Sequence, residues 1–261
     1  MHFDLTDQYR PRPSAIHRLD PRVKVVMAVL FILACSLVPV GAWPGFVGLL
    51  ALVLAASAAS RLGLAFALRR SYVALPFVLV AVPLLFTVPG EIVYSVPLLG
   101  WTVSAQGIER FLSVLLRSWI AIQAAILLTA VTPFPDLLWA LGALRLPRTV
   151  VSTIGFMVRY LFVLSDEAAR MLQARAARAS RPAGEGRPPV LWQARVAGNM
   201  VGSLFLRALE RSERVYAAML ARGYDGQMPS LTRHQLRPSD WAATALAILV
   251  LAGLLAATYR R

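Results

Sequence analysis

Arg178 and Arg222 stand in two matching settings, Ala177-Arg178-Ala179 and Ala221-Arg222-Gly223, 44 positions apart. Each closes a long stretch that reads as amphipathic helix. A guanidinium at a helix end keeps its charge and offers a planar fork of donors to carboxylates and carbonyls of an opposing surface. That chemistry is docking, not bond making. Taken singly, Arg222 before Gly223 is also an ordinary helix stop, a cation favoured by the C-terminal dipole and then glycine in a left-handed cap. The pairing of the two tips is what singles them out. Ala174-Arg175-Ala176 is an alternative reading of the first tip.

Other reactive residue types do not assemble into sites. His2, His17 and His234 are scattered, and Cys35 is the only cysteine, so no metal centre is expected. Asp166 and Glu167 lie one and two turns from Arg170 and Arg175, which reads as a salt network. No glycine-rich loop with its lysine is present, so nucleotide hydrolysis is not expected in this chain. No base stands beside a nucleophile in the apolar runs, and no catalytic residue is assigned.

The elements that carry these tips belong to an integral membrane protein. Of 261 residues 58% are hydrophobic and 15% charged, with a mean hydropathy of +0.63. The net charge is +14, from 27 basic residues, of which Lys24 is the single lysine. Because the arginines lie mostly between apolar runs, topology explains them better than nucleic-acid binding does.

Five runs approach the roughly 20 residues needed to span a bilayer: Lys24 to Val40, Trp43 to Ala59, Tyr72 to Pro89, Phe111 to Val131 and Trp241 to Tyr259. Residues 1–22 read as a polar lead with no cleavable signal peptide. With that lead on the inner side, 23 of the 27 basic residues fall there, which gives an N-in, C-out orientation.

Between the fourth and fifth runs, residues 132–239 carry 15 arginines against 7 acids. Three helices are expected here. Asp136 is placed as the cap of a short one that Pro147 ends. The second covers about Arg148 to Ala179, supported by an Asp166 to Arg170 pair, and a Pro/Gly linker follows from Arg181 to Pro189. The third covers about Val190 to Arg222, with Val196, Met200, Leu204, Leu209, Tyr216 and Leu220 on one stripe and a Glu210 to Arg214 pair. A rival topology makes Thr149 to Leu164 a sixth span. It exports twelve arginines and leaves Arg159 in mid-bilayer, at about 2.5 kcal/mol or more.

The resulting fold class is an all-α integral membrane protein of about five transmembrane helices plus three cytoplasmic coupling helices, two of them long and amphipathic. Its parts are residues 1–131 (lead and first four spans), 132–239 (coupling helices) and 240–261 (last span).

Ala217-Ala218-Met219-Leu220-Ala221-Arg222-Gly223-Tyr224 resembles the second signature of the transmembrane T component of energy-coupling factor transporters, and Ala177-Arg178-Ala179 occupies the place of the first. Ala179 departs from the glycine or serine more usual there. Leu19-Asp20-Pro21-Arg22-Val23-Lys24, Thr132-Pro133-Phe134-Pro135-Asp136-Leu137-Leu138, Leu146-Pro147, Arg159-Tyr160 and Asp166-Glu167 are similar to the cobalt-type members. The resemblance implies a coupling subunit in a bacterial cytoplasmic membrane. It implies docking of Ala177, Arg178, Ala179, Ala221, Arg222 and Gly223 on ABC-type ATPases, which would hold the ATP and magnesium. It also implies a substrate-binding membrane subunit for cobalt or nickel and a small accessory membrane subunit. A vitamin-type transporter and an intramembrane enzyme are the alternatives.

Overall fold

The computed structural model describes residues 9–63, 72, 75–96, 101–178, 189–226 and 235–259. Among these the chain is helical apart from one hairpin. It forms two compact units, Met1–Leu144 with Thr232–Arg261, and Arg145–Leu231.

The first unit begins with a folded lead and the short helix α1 (Ala15–Arg18), capped by the Ser14 side chain. His17 Nε2–H donates to the Arg10 carbonyl at 3.0 Å, so Nδ1 of the neutral ring accepts from the Ser14 hydroxyl at 2.7 Å. Burial, with some help from the Lys24 charge, holds the His17 imidazole below its ordinary value, against the opposing pull of the Arg10 carbonyl.

Helix α2 (Pro21–Leu37) starts as the sequence predicts: the Asp20 carboxylate accepts from the Arg22 N–H, and Pro21 fills the first position, where its missing donor costs nothing. A tight turn follows, with the Ala42 N–H bonded to the Pro39 carbonyl. Gly41 takes the positive φ (80°) that the third residue of such a turn requires. Helix α3 (Trp43–Ala59) then runs back. At 17 residues each, α2 and α3 are about 25 Å long, at the short end of what crosses a bilayer.

The third apolar run is not one helix. It breaks into α4 (Leu75–Ala81) and α5 (Leu84–Thr87), because Pro83 supplies no N–H and the chain turns there. A hairpin that the span pattern does not foretell, β1 (Ile92–Val96) and β2 (Trp101–Ser104), leads into α6 (Ala105–Val131). Ser104 joins the pieces, since its hydroxyl donates to the Val88 carbonyl at 2.6 Å and accepts from the Gly107 N–H.

Helix α6 is the centre of this unit, packed by α2, α3, α4 and α5. The core is Cys35 and Val38 against Phe46, Leu49 and Val53 of α3 and Ile120 and Ala124 of α6. Helix α7 (Phe134–Ala143) packs on α2, and α10 (Pro238–Tyr259) lies against α2 and α3.

Side chains from other helices satisfy the last carbonyls of α2, as an apolar solvent demands. Arg117 Nη2 donates to the Val38 carbonyl at 2.6 Å, and the Tyr259 hydroxyl to that of Leu37 at 2.9 Å.

Two expectations for α7 need correction. Its cap is Pro133, in extended conformation, and Asp136 sits inside the first turn, where its charge still favours the helix dipole. It ends at Ala143, ahead of Pro147, because Arg145 turns into the left-handed region (φ 70°).

The second unit holds α8 (Arg148–Arg178) and α9 (Val190–Ala221), packed on each other. By length and composition α6, α8 and α10 are each able to cross a membrane.

Candidate functional site

The two long helices of the second unit are pinned by Glu167, which accepts from Arg170 of its own helix at 2.7 Å and from Arg207 of α9 at 2.8 Å. Arg170 is therefore hydrogen-bonded to Glu167, while Asp166 acts on it only through its charge. The ion pair is with Glu167, at three-residue spacing, where the longer side chain also reaches across to α9. The Glu210 to Arg214 pair is present, at a loose 3.9 Å. From this pin, 11 residues of α8 lead to Arg178 and 15 of α9 to Arg222, about 16 Å and about 22 Å of helix.

Both tips are surface groups. Ala177 and Arg178 are the last helical residues of α8 and are exposed, whereas Arg175 is half-buried. Ala179 and the linker residues 181–188 lie outside the described residues. Ala221 ends α9, Arg222 is its C-cap, and Gly223 follows, all three exposed. Neither the Arg178 nor the Arg222 guanidinium has a hydrogen-bonding or ionic partner among the described residues. The available donors face outward.

The backbone sets the direction of the second tip. The Gly223 N–H bonds to the Leu220 carbonyl (2.9 Å) and the Tyr224 N–H to that of Met219 (3.0 Å), the paired bonds of a Schellman stop. Gly223 has φ +79°, and a Cβ there would meet no atom within 4 Å. Its requirement is thus conformational alone. Gly223→Ala is expected to cost about 1 to 2 kcal/mol in the left-handed region and to fray the last turn. Faster amide exchange at Gly223 and Tyr224, with the body of α9 unchanged, is the signature to look for.

The apolar stripe expected on α9 is two stripes. Val196, Met200 and Leu204 are half-buried, as are Ala208 and Val215 at the same helical spacing. On another face Val201 (66% exposed), Phe205 (66%), Leu209, Tyr216 and Leu220 are open. Gly198 and Gly202 lie on that open face with free space above them. Sequence periodicity missed the split because apolar residues go nearly all the way round the helix.

No group of three or more histidine, cysteine, aspartate or glutamate side chains able to hold a metal ion occurs among the described residues. The site is therefore a pair of outward cations on pinned helices, carried by a helical membrane protein.

The chain belongs to the cobalt transport protein family, whose model matches residues 13–233. It is 30% identical over 236 residues to the energy-coupling factor transporter transmembrane protein EcfT of Brevibacillus brevis, covering 84% of each chain. To the protein of the same name from Exiguobacterium sibiricum it is 29% identical, over 96% of this chain and 97% of that one. The nickel permease LarQ of Lactiplantibacillus plantarum is 30% identical over a shorter stretch, 46% of this chain and 41% of its own. The chain is thus a member of the transmembrane T-component family of energy-coupling factor transporters, in keeping with its resemblance in sequence.

Proposed function

We propose that this chain couples ATP hydrolysis by partner ABC-type ATPases to a substrate-binding membrane subunit that takes up cobalt or nickel. The observation that carries the reading is the pair of exposed arginines, without a side-chain partner among the described residues, at the ends of helices pinned by Glu167. Arg178 and Arg222 dock in acidic or carbonyl-lined grooves of the ATPases, with Ala177, Ala179, Ala221 and Gly223 giving the small surroundings that let each guanidinium enter. ATP and magnesium belong to those partners, and no cofactor to this chain. Closure of the ATPase pair displaces the tips, and α8 and α9 carry the displacement. The contacts must differ between the two ATPase states, because equal binding in both transmits nothing.

The exposed apolar face of α9 supports a second contact, with the substrate-binding subunit or an accessory membrane subunit. The metal assignment draws on the family's description and on the nickel permease relative. We place the chain in the cytoplasmic membrane with its N-terminus and residues 132–239 inside. Helix α8 is apolar enough to span, but there it would hold Arg159 in the bilayer and carry twelve arginines outward.

Membrane vesicles that contain the chain alone, or together with ATPases and a substrate-binding subunit, test the reading directly. Uptake of radiolabelled cobalt or nickel is expected only in the full set, with the ATPases co-purifying on this chain. Metal accumulation by the chain alone, or its failure to retain any ATPase, defeats the proposal.

A further inference from the structure

The one lysine of a chain that otherwise uses arginine 26 times is buried. Lys24, in the first turns of α2, is only 7% exposed. Its ammonium donates to the His17 carbonyl at 3.0 Å and to the Val131 carbonyl at 3.3 Å, joining the lead before α2 to the last residue of α6. Beside it the Arg10 N–H donates to the Ala130 carbonyl at 3.1 Å. Two of the carbonyls that α6 leaves open at its C-terminus are thus closed by the lead and by Lys24.

Acidic groups from three elements act on the ammonium through their charge. Asp20 before α2, Asp136 of α7 and Asp240 of α10 all lie within electrostatic reach of it. Asp20 gives one carboxylate oxygen to the Arg22 N–H and Asp240 one to the Arg237 N–H, while the other oxygen of each is buried with no hydrogen-bond partner among the described residues. Asp240 is 2% and Asp20 5% exposed. Arg22 stands over the Trp139 ring at 4.3 Å, which ties α2 to α7 by a separate contact.

A compact ammonium with three tetrahedral donors suits two carbonyls in a closed space. A planar guanidinium is bulkier and aims its donors in one plane. The exception to the chain's arginine usage therefore falls where the shape of the cation matters.

We infer that Lys24 is a positioning residue for coupling: it clamps the joint at Val131, through which α6 continues by Thr132 and Pro133 into α7 and on towards α8. A slack joint at this point would let a push on the arginine tips bend the chain without moving the spans. The inference rests on the coupling function proposed above and adds a residue to it that touches no partner.

The test uses the complete transporter in proteoliposomes, with Lys24→Arg as the principal variant and Lys24→Met beside it. Three quantities are read: ATPase subunits retained on the chain, ATP hydrolysed, and metal taken up per ATP. Lys24→Arg is expected to retain the ATPases and hydrolyse ATP, yet to lose uptake per ATP by about tenfold or more, the scale of losing one hydrogen bond to a charged group. Lys24→Met is expected to lose at least as much. An unchanged ratio of uptake to hydrolysis in Lys24→Arg overturns the inference. So does a loss of retained ATPase in proportion to uptake, which makes Lys24 a folding residue only. The pair Arg178→Ala with Arg222→Ala, run in parallel, separates the two levels, since wild-type uptake there defeats the coupling reading itself whatever Lys24 does.

Discussion

With Arg178 and Arg222 both replaced by alanine, the protein is expected to insert in the membrane as before, to lose the ATPases, and to support no uptake. Neither side chain holds the fold together, because both are exposed and make no ion pair or side-chain hydrogen bond among the described residues. Removal therefore leaves the helices and their pin at Glu167 untouched. In the proposed docking each guanidinium is a buried, hydrogen-bonded cation, and truncating one such partner costs about 2 to 5 kcal/mol. One tip then weakens assembly by about 30-fold to several thousand-fold, and the two together leave none at cellular concentrations. Arg178→Lys and Arg222→Lys keep the charge but not the fork, so they are expected to fall between wild type and alanine. Co-purification of the ATPases and metal uptake measure both. Wild-type assembly in the double alanine variant means that the tips are ordinary helix stops.

Gly45→Val is expected to be the most damaging change within the spans. A Cβ at Gly45 lies 2.5 Å from Thr258 Cγ2 and 3.2 Å from Val38 Cγ1. Thr258 is β-branched, and its hydroxyl is committed to the Leu255 carbonyl, so it has no easy rotamer to retreat to. The whole of α10 must back away from α3, which strains the Tyr259 bond to the end of α2. Overpacking of this kind costs about 1 to 3 kcal/mol. A lowered midpoint of thermal unfolding in detergent is the readout. Gly253→Ala, on the same helix α10 but with no atom within 4 Å of the added methyl, is the control and is expected to lose nothing.

What the sequence made legible here was local chemistry. Asp20 and Pro21 announce the start of α2, and Gly223 announces the stop of α9, because capping is settled within a few residues. The helix-end positions of Arg178 and Arg222 were legible the same way. What escaped depends on distant neighbours. The spacing of Asp166 and Arg170 is a good helical pair, yet Glu167 takes Arg170 because it also meets Arg207 forty residues away. Lys24 looked like one more inner-side cation, and only the fold brings the Val131 carbonyl to its ammonium and Asp136 and Asp240 within electrostatic reach. The run from Tyr72 to Pro89 has the composition of a span. Pro76 and Pro83 stand in plain view there, but spans tolerate proline where neighbours satisfy the freed carbonyls, and only the structure shows that the helix breaks at Pro83.

The two-sided character of α9 bears on how much of this protein a cell can keep. One flank rests on α8, and the other holds Val201, Phe205, Leu209, Tyr216 and Leu220 open to the surroundings. Grease left bare beside a membrane invites clumping and the attention of quality-control proteases. In the proposed assembly, copies made in excess of their companions are therefore expected to be short-lived, with the level of the chain following the supply of subunits that sheathe this flank.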